Sequence, residues 1–181
     1  MKSSFGPSLL CALVCAAALL TTCASLPDPV TARADPSSSG DSGAIARHVL
    51  DLVNAARAHP RRCGRSLLGA APPLTLSRTL TDVASSHARD MAQHGSMDHR
   101  GSDGSQPDER VTRAGYRWRA IGENIAAGQR TADAVVATWL DSPGHCTNIM
   151  EPAFTEMGIA FALAPSRNPP IYWAQEFAAP Q

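Results

Sequence analysis

The chain has 181 residues, 16 basic and 16 acidic side chains, and no net formal charge. That length gives room for one domain with a proper core and is too short for two ordinary ones. Lys2 is the only lysine, and no basic stripe gathers on one predicted face, so the composition argues against nucleic-acid binding, which needs a clustered positive footprint.

Lys2, the apolar run Leu9 to Leu20, and the small and polar residues that follow read as an export signal over residues 1–24. The run is too short to span a bilayer comfortably. Within it, LTTC ending at Cys23 has the outline of a lipobox, with Thr22 standing where a smaller residue is usual. The expected locations are secreted or periplasmic after a cut behind Ala24 or Ala34, or membrane-attached through lipid on Cys23. Residues 25–43 are Pro-, Ser-, Asp- and Gly-rich with few large apolar groups, the composition of a disordered linker. Residues 44–181 form the domain.

Apolar residues at Ile45, Val49, Leu52, Val53 and Ala56 recur at helical spacing, and Pro60 ends the helix. Arg61 to Pro73 reads as a loop. Ser77 is an N-cap for a second helix that runs to about His94 with Leu80, Val83, Ala84, Ala88 and Met91 inward, closed by Gly95. Pro107 to Ala114 makes a short helix and Ile121 to Ala127 a strand. Thr131 caps a helix to Leu140 with Ala134, Val135, Thr138 and Trp139 inward. Pro143 and Gly144 break it, and one turn carries His145 to Ile149. Met157 to Leu163 and Ile171 to Phe177 alternate and pair as an antiparallel hairpin. Helices first and strands last give an α+β fold.

Cys11 and Cys15 leave with the signal, and Cys23 leaves or is lipidated. Cys63 and Cys146 remain as an even pair in an oxidising compartment, expected as a disulfide, with two free buried thiols as the alternative.

Chemistry concentrates between Met97 and Met150. His99 lies in DHRGSDG starting at Asp98, Glu123 in GENIA starting at Gly122, and His145 in WLDSPGHCTNI starting at Trp139. A neutral imidazole can bind a metal or accept a proton, and a nearby carboxylate can orient it or act as a base. Plain hydrogen-bonding struts are the bland alternative for both histidines. Asn124 and Asn148 are expected to hold turns. His87 and His94 share one helix face and read as a partly buried edge; His48 and His59 read as solvated. Trp118, Trp139, Tyr172 and Trp173 read as core or cleft walls. Ser142 with His145 lacks the nucleophile elbow of a serine hydrolase.

These motifs, with AGY from Ala114, TEMGIA from Thr155 and YWAQEF from Tyr172, resemble the CAP superfamily of cysteine-rich secretory, antigen 5 and pathogenesis-related-1 proteins, in its compact bacterial SCP-like branch. The resemblance runs from about Ile45 to Phe177. It implies a three-layer α-β-α sandwich with a small antiparallel sheet, and a central cleft lined by two histidines and two glutamates. His99, Glu123 and His145 match three of those positions; Ser142 stands where the second glutamate belongs. The expected function is a binding module whose cleft takes a small apolar ligand such as a lipid, a peptide or a cell-wall fragment. A divalent metal such as zinc is expected, if anywhere, on His99 and His145. The alternatives are a metal-assisted hydrolase or peptidase with Glu123 as catalytic base, and a scaffold without a site. No HExxH helix is present to support a dedicated catalytic zinc.

Overall fold

The computed structural model describes residues 36–181, with side chains from Ser42 onward. The export signal, Cys23 and the first part of the expected linker lie outside the described residues. The order of elements is α1 (Pro36–Arg57), β1 (Arg61–Cys63), β2 (Ser66–Leu68), β3 (Thr75–Leu76), α2 (Arg78–His94), α3 (Pro107–Arg113), β4 (Trp118–Ala127), α4 (Ala132–Asp141), α5 (Pro143–Met150), β5 (Glu156–Leu163) and β6 (Ile171–Pro180). Among the described residues no helix is long and apolar enough to cross a membrane.

The main sheet runs β3-β5-β6-β4. β6 lies inside it, antiparallel to both neighbours, while β3 adds a two-residue parallel edge that the sequence pattern does not reveal. Strand alternation builds the layers. On one face of β6, Ile171, Trp173 and Phe177 pack with Val49 and Val53 of α1, Val135 and Trp139 of α4, and Ile149 of α5. On the other, Tyr172 and Ala174 meet Ala84, Ala88 and Met91 of α2, and Ala178 joins Leu80, Val83 and Val111. The sheet is thus covered on both faces by helices, an α+β sandwich of three layers.

α2 follows its expected bounds. Ser77 precedes it in extended backbone, and its amide donates to the Met157 carbonyl at 2.8 Å. Gly95 closes it at φ 68°, a left-handed conformation that glycine adopts without strain. The helix sits on the sheet at Gly158, where a Cβ would collide with the backbone of Leu80 and Thr81. Thr131 caps α4 by accepting from the Ala134 amide at 3.1 Å.

Several expectations need correction. α1 starts at Pro36, so it takes in the end of the stretch read as linker; proline suits a first helical turn, and the packed segment after Ile45 gives the helix a base from which to extend. β4 begins at Trp118, because its pairing to β6 reaches Pro180. On α4, Ala134 and Thr138 face solvent while Ala132 and Val136 are buried. The Thr138 hydroxyl instead donates to the Ala134 carbonyl at 2.8 Å. The turn at His145 is an eight-residue helix, because Pro143 falls at its start, where a missing amide costs nothing.

Two long-range ties fix α5. Cys63 and Cys146 form a disulfide across 83 residues of sequence, with Cα atoms 5.5 Å apart. Fully buried Arg57, at the end of α1, donates to the carbonyls of Ile149 and Glu151 at 2.7 and 2.9 Å, and to those of Pro72 and Phe154 at 2.7 and 3.2 Å. These bonds take up carbonyls that the end of α5 leaves open. Replacing Cys63 and Cys146 together by Ser should lower unfolding free energy by roughly 4 to 5 kcal/mol, the loop-closure value for a ring of this size. Urea denaturation of oxidised wild type against the double variant measures it; equal midpoints would show that the bridge contributes nothing.

Candidate functional site

β4 is an edge strand, and its alternation divides the site's residues between the two layers. Ile121 and Ile125 pack into the α2–α3 layer, which places Glu123 between them on the same side. Asn124 faces the other layer. There its amide group donates to Gln175 Oε1 at 3.1 Å and to the His145 carbonyl at 3.3 Å. Asn148 of α5 donates to the Glu123 carbonyl and to Asn124 Oδ1, each at 3.0 Å. Both asparagines therefore hold α5, and with it His145, against the strand that carries Glu123.

The Glu123 carboxylate is buried and fully engaged. Oε1 accepts from His99 Nδ1 at 2.6 Å, and Oε2 from Arg110 Nη2 at 2.5 Å. His87 Nε2 stands 3.7 Å from Oε2. Burial alone would raise the Glu123 pKa, but the bonds from His99 and Glu176, with the charge of Arg110, hold it below the usual carboxylate range. His99 moves the other way: its bond to Glu123 raises it above the ordinary imidazole value. The ring is half exposed, so its Nδ1 edge is fixed while Nε2 remains available. Arg110 Nη1 also donates to the carbonyls of His99 and Ser105, both at 2.9 Å, which locks the loop carrying His99 onto α3.

A second carboxyl group completes the centre. Glu176 is the register partner of Glu123 across β4 and β6 and is entirely buried. Neither of its oxygens receives a bond from an N–H or hydroxyl donor. Two ionised carboxylates cannot hydrogen-bond to each other, so the contact with Glu123 requires a proton on one of them. That proton belongs to Glu176, which burial and the neighbouring Glu123 charge push well above the usual carboxylate range. Glu176 is therefore a neutral acid donating to Glu123.

His145 is partly buried. Burial, then the nearby His99 charge, lower its pKa, and its Nδ1 is buried without a partner. The structure thus brings His99 onto Glu123 directly and places His145 within electrostatic reach of His99. Ser142 precedes α5 as its N-cap residue, and its hydroxyl makes no cap bond. His87 corrects the edge reading: it is buried beside Glu123, while His94 stays at the surface, its Nδ1 2.9 Å from the Asp90 carbonyl. His48 is exposed but paired with Asp133 at 3.0 Å. Sequence reasoning missed Arg110, Glu176 and His87. Glu176 had a signal, a carboxylate at inward parity with Tyr172, Ala174 and Ala178. His87 had one too, on the inward stripe with Leu80, Ala84 and Met91.

The metal expectation for His99 and His145 meets the same geometry. Among the described residues no three His, Cys, Asp or Glu side chains converge as a metal site. Glu123 spends both oxygens on His99 and Arg110, which leaves two imidazoles. A catalytic zinc needs three protein ligands, so this donor set does not fit one.

Residues 50–177 match the CAP, cysteine-rich secretory protein, family. The chain belongs to this family. The uncharacterized protein YkwD of Bacillus subtilis (strain 168) is 33% identical over 105 residues, which are 58% of this chain and 39% of that protein. The chain therefore spans about two fifths of that relative. A Bacillus anthracis extracellular protein containing an SCP domain shares the CAP fold at a TM-score of 0.63 and 24% identity, over 81% of this chain and 44% of that one. An outer surface protein of Borrelia burgdorferi does so at a TM-score of 0.61 and 16% identity, over 82% of this chain and 97% of that one.

The buried acid of this CAP domain has a pH signature. Glu176 keeps its proton in the native state, whereas the unfolded chain releases it near pH ~4.3. Stability from Glu176 is thus full below that pH and is lost as pH rises toward the folded value. His99 acts in the same direction above pH ~6.5, while His87 and His145, both lowered chiefly by burial, contribute stability that is complete above pH ~6.5 and is lost as pH falls below it, so they oppose the trend only on that acid side. Glu176→Gln keeps a donor to Glu123 but cannot ionise. Its melting temperature should fall less than that of wild type between pH ~5 and ~8, the range above the unfolded carboxyl value. Parallel curves would show that Glu176 is not the proton carrier.

Proposed function

We propose that this CAP-family chain is an exported binding module, not an enzyme, and that its ligand face is the exposed edge of His99 and His145 beside β4. The observation that carries this reading is the commitment of Glu123. Its two oxygens are held by His99 and Arg110, and Glu176 caps the same carboxylate. A base engaged in this way orients an imidazole; it is not free to take a proton from a substrate. The extracellular and outer-surface character of the B. anthracis and B. burgdorferi neighbours supports export. Membrane attachment through Cys23 belongs to the same reading, as the lipidated variant of that export.

His99, raised by its bond to Glu123, is the ring more readily protonated, and His145, lowered chiefly by burial, the one more readily neutral. This pairing suits a carboxylate-bearing peptide or cell-wall fragment better than a purely apolar lipid. The test is cosedimentation of the purified domain with isolated cell-wall sacculi. His99→Ala and His145→Ala should each weaken binding about tenfold, the value of one lost charge-assisted hydrogen bond, with His145→Ala melting close to wild type and His99→Ala lower because buried Glu123 loses a donor. Glu123→Gln should weaken it through loss of His99 orientation. Equal binding by all four proteins would sink the module reading. A peptidase or esterase activity of the wild type, abolished by Glu123→Gln, would establish the hydrolase instead.

A further inference from the structure

The segment Arg61 to Pro73, expected as a loop, opens with the β1–β2 ribbon, a two-stranded sheet apart from the main one. Two strands alone are marginal in water. This pair is held from its inner face, where Cys63 is bridged to Cys146 and Leu68 packs against the core. The register sets Arg61 against Leu68, Arg62 against Leu67 and Cys63 against Ser66. Residues paired across two strands share a face, and neighbours along one strand alternate. Arg62 and Leu67 therefore share the outer face, opposite the bridge, and both are exposed.

Leu67 is 66% exposed, one of three large apolar side chains left open among the described residues. Arg62 Nη1 donates to the Arg65 carbonyl at 3.3 Å, which draws its charge toward the tip, where Arg65 is exposed. Arg61 stands beside them, half-buried. From Leu52 to Thr81 the chain carries Arg57, Arg61, Arg62, Arg65 and Arg78 and no acidic residue. Among the described residues, no carboxylate lies within ion-pair distance of Arg61, Arg62 or Arg65. α5, which packs against β1, contains no acidic residue. Glu151, just after α5, accepts from the Ala153 amide at 3.0 Å. A chain of zero net charge thus gathers unpaired positive charge on one ribbon, around a bare leucine.

The chemistry of a partner follows. Like charges without a counter-charge repel, and the leucine beside them keeps apolar surface in water. A lipid surface with anionic headgroups relieves both: it offers phosphate to the guanidinium groups and hydrocarbon just beneath to the leucine. A soluble polyanion answers the charge and leaves Leu67 in water. An apolar groove answers Leu67 and strips water from the arginines. We infer that the β1–β2 ribbon is a docking element for an anionic membrane surface, with Arg62 and Arg65 at the headgroups and Leu67 inserted between them. The bridge to Cys146 fixes the ribbon before it docks, so little ordering is needed on contact. The same bridge ties it to α5, so docking brings the helix that carries His145 to the membrane. The inference does not depend on a ligand at the His99–His145 edge.

The exported chain is prepared with Cys23→Ser, so that no acyl group contributes, and sedimented with vesicles of equal parts phosphatidylglycerol and phosphatidylcholine. It should partition onto these vesicles and not onto pure phosphatidylcholine, and added salt should weaken the partition by screening. Arg62→Gln with Arg65→Gln should weaken it about twenty-five-fold, from about fivefold for each cation near an anionic surface. Leu67→Ser should weaken it about tenfold, the transfer value of a leucine side chain taken largely out of water. These side chains are exposed, so each variant should melt close to wild type. Equal partition of wild type and the double variant, or equal partition onto both kinds of vesicle, overturns the proposal. So does a loss in the double variant with none in Leu67→Ser, which would assign the ribbon to a soluble polyanion. Wild type that self-associates in sedimentation and leaves the vesicles unbound would give Leu67 to a second copy and overturn it equally.

Discussion

A carboxylate buried at the edge of a sheet is the constraint around which this domain is arranged. An unpaired buried charge is too costly to keep, so Glu123 must be met by donors from every direction open to it. Arg110 comes from α3, His99 from the loop after α2, and a protonated Glu176 from the neighbouring strand. Each partner belongs to a different element, so satisfying one side chain fixes the relative positions of a helix, a loop and two strands. Arg110 extends the effect by holding two loop carbonyls as well. The polar seam runs between apolar contacts made by Ile121 with Ala178 and by Ile125 with Ala174, which keep water from it.

The opposite layer meets a different requirement. α5 is short and could not hold its place by propensity alone. It is secured by a covalent bond at Cys146, by Arg57 at its C-terminal carbonyls and by Asn148 against β4. His145 inherits its position from these three ties, which explains how a partly exposed histidine on an eight-residue helix keeps a fixed orientation. The two imidazoles of the edge are thus positioned by separate means, one through a charge and the other through a bridge and a set of carbonyl bonds.

Most of the architecture was legible because periodicity and capping agreed. α2 shows an inward stripe from Leu80 to Met91 between Ser77 and Gly95, and the alternation of Met157 to Leu163 and Ile171 to Phe177 announced their pairing. The errors lie where packing decides and pattern does not: Ala134 and Thr138 satisfy a helical stripe that α4 turns to solvent. At the site, the histidines and Glu123 stood out because glycine- and proline-bearing turns display them. Glu176 was hidden inside an apolar strand, and its meaning depends on a register that only the folded sheet supplies. Arg110 and His87 reach Glu123 from elements whose orientation depends on the same packing. Ser142 drew attention to a missing carboxylate, while the carboxyl that faces Glu123 in the fold comes from the other end of the chain.

The placement of β6 has a consequence for how the molecule is made. This strand is the last element of the described chain, yet it occupies the interior of the sheet, with β5 and β4 as its flanks. Until Ile171 to Pro180 are in place, β4 has no sheet partner and Glu123 has no neighbouring acid. Early segments can form helices, but these cannot find their lasting faces. A sheet whose interior strand is the last of the domain cannot close before that strand is available, which favours closure in one cooperative step.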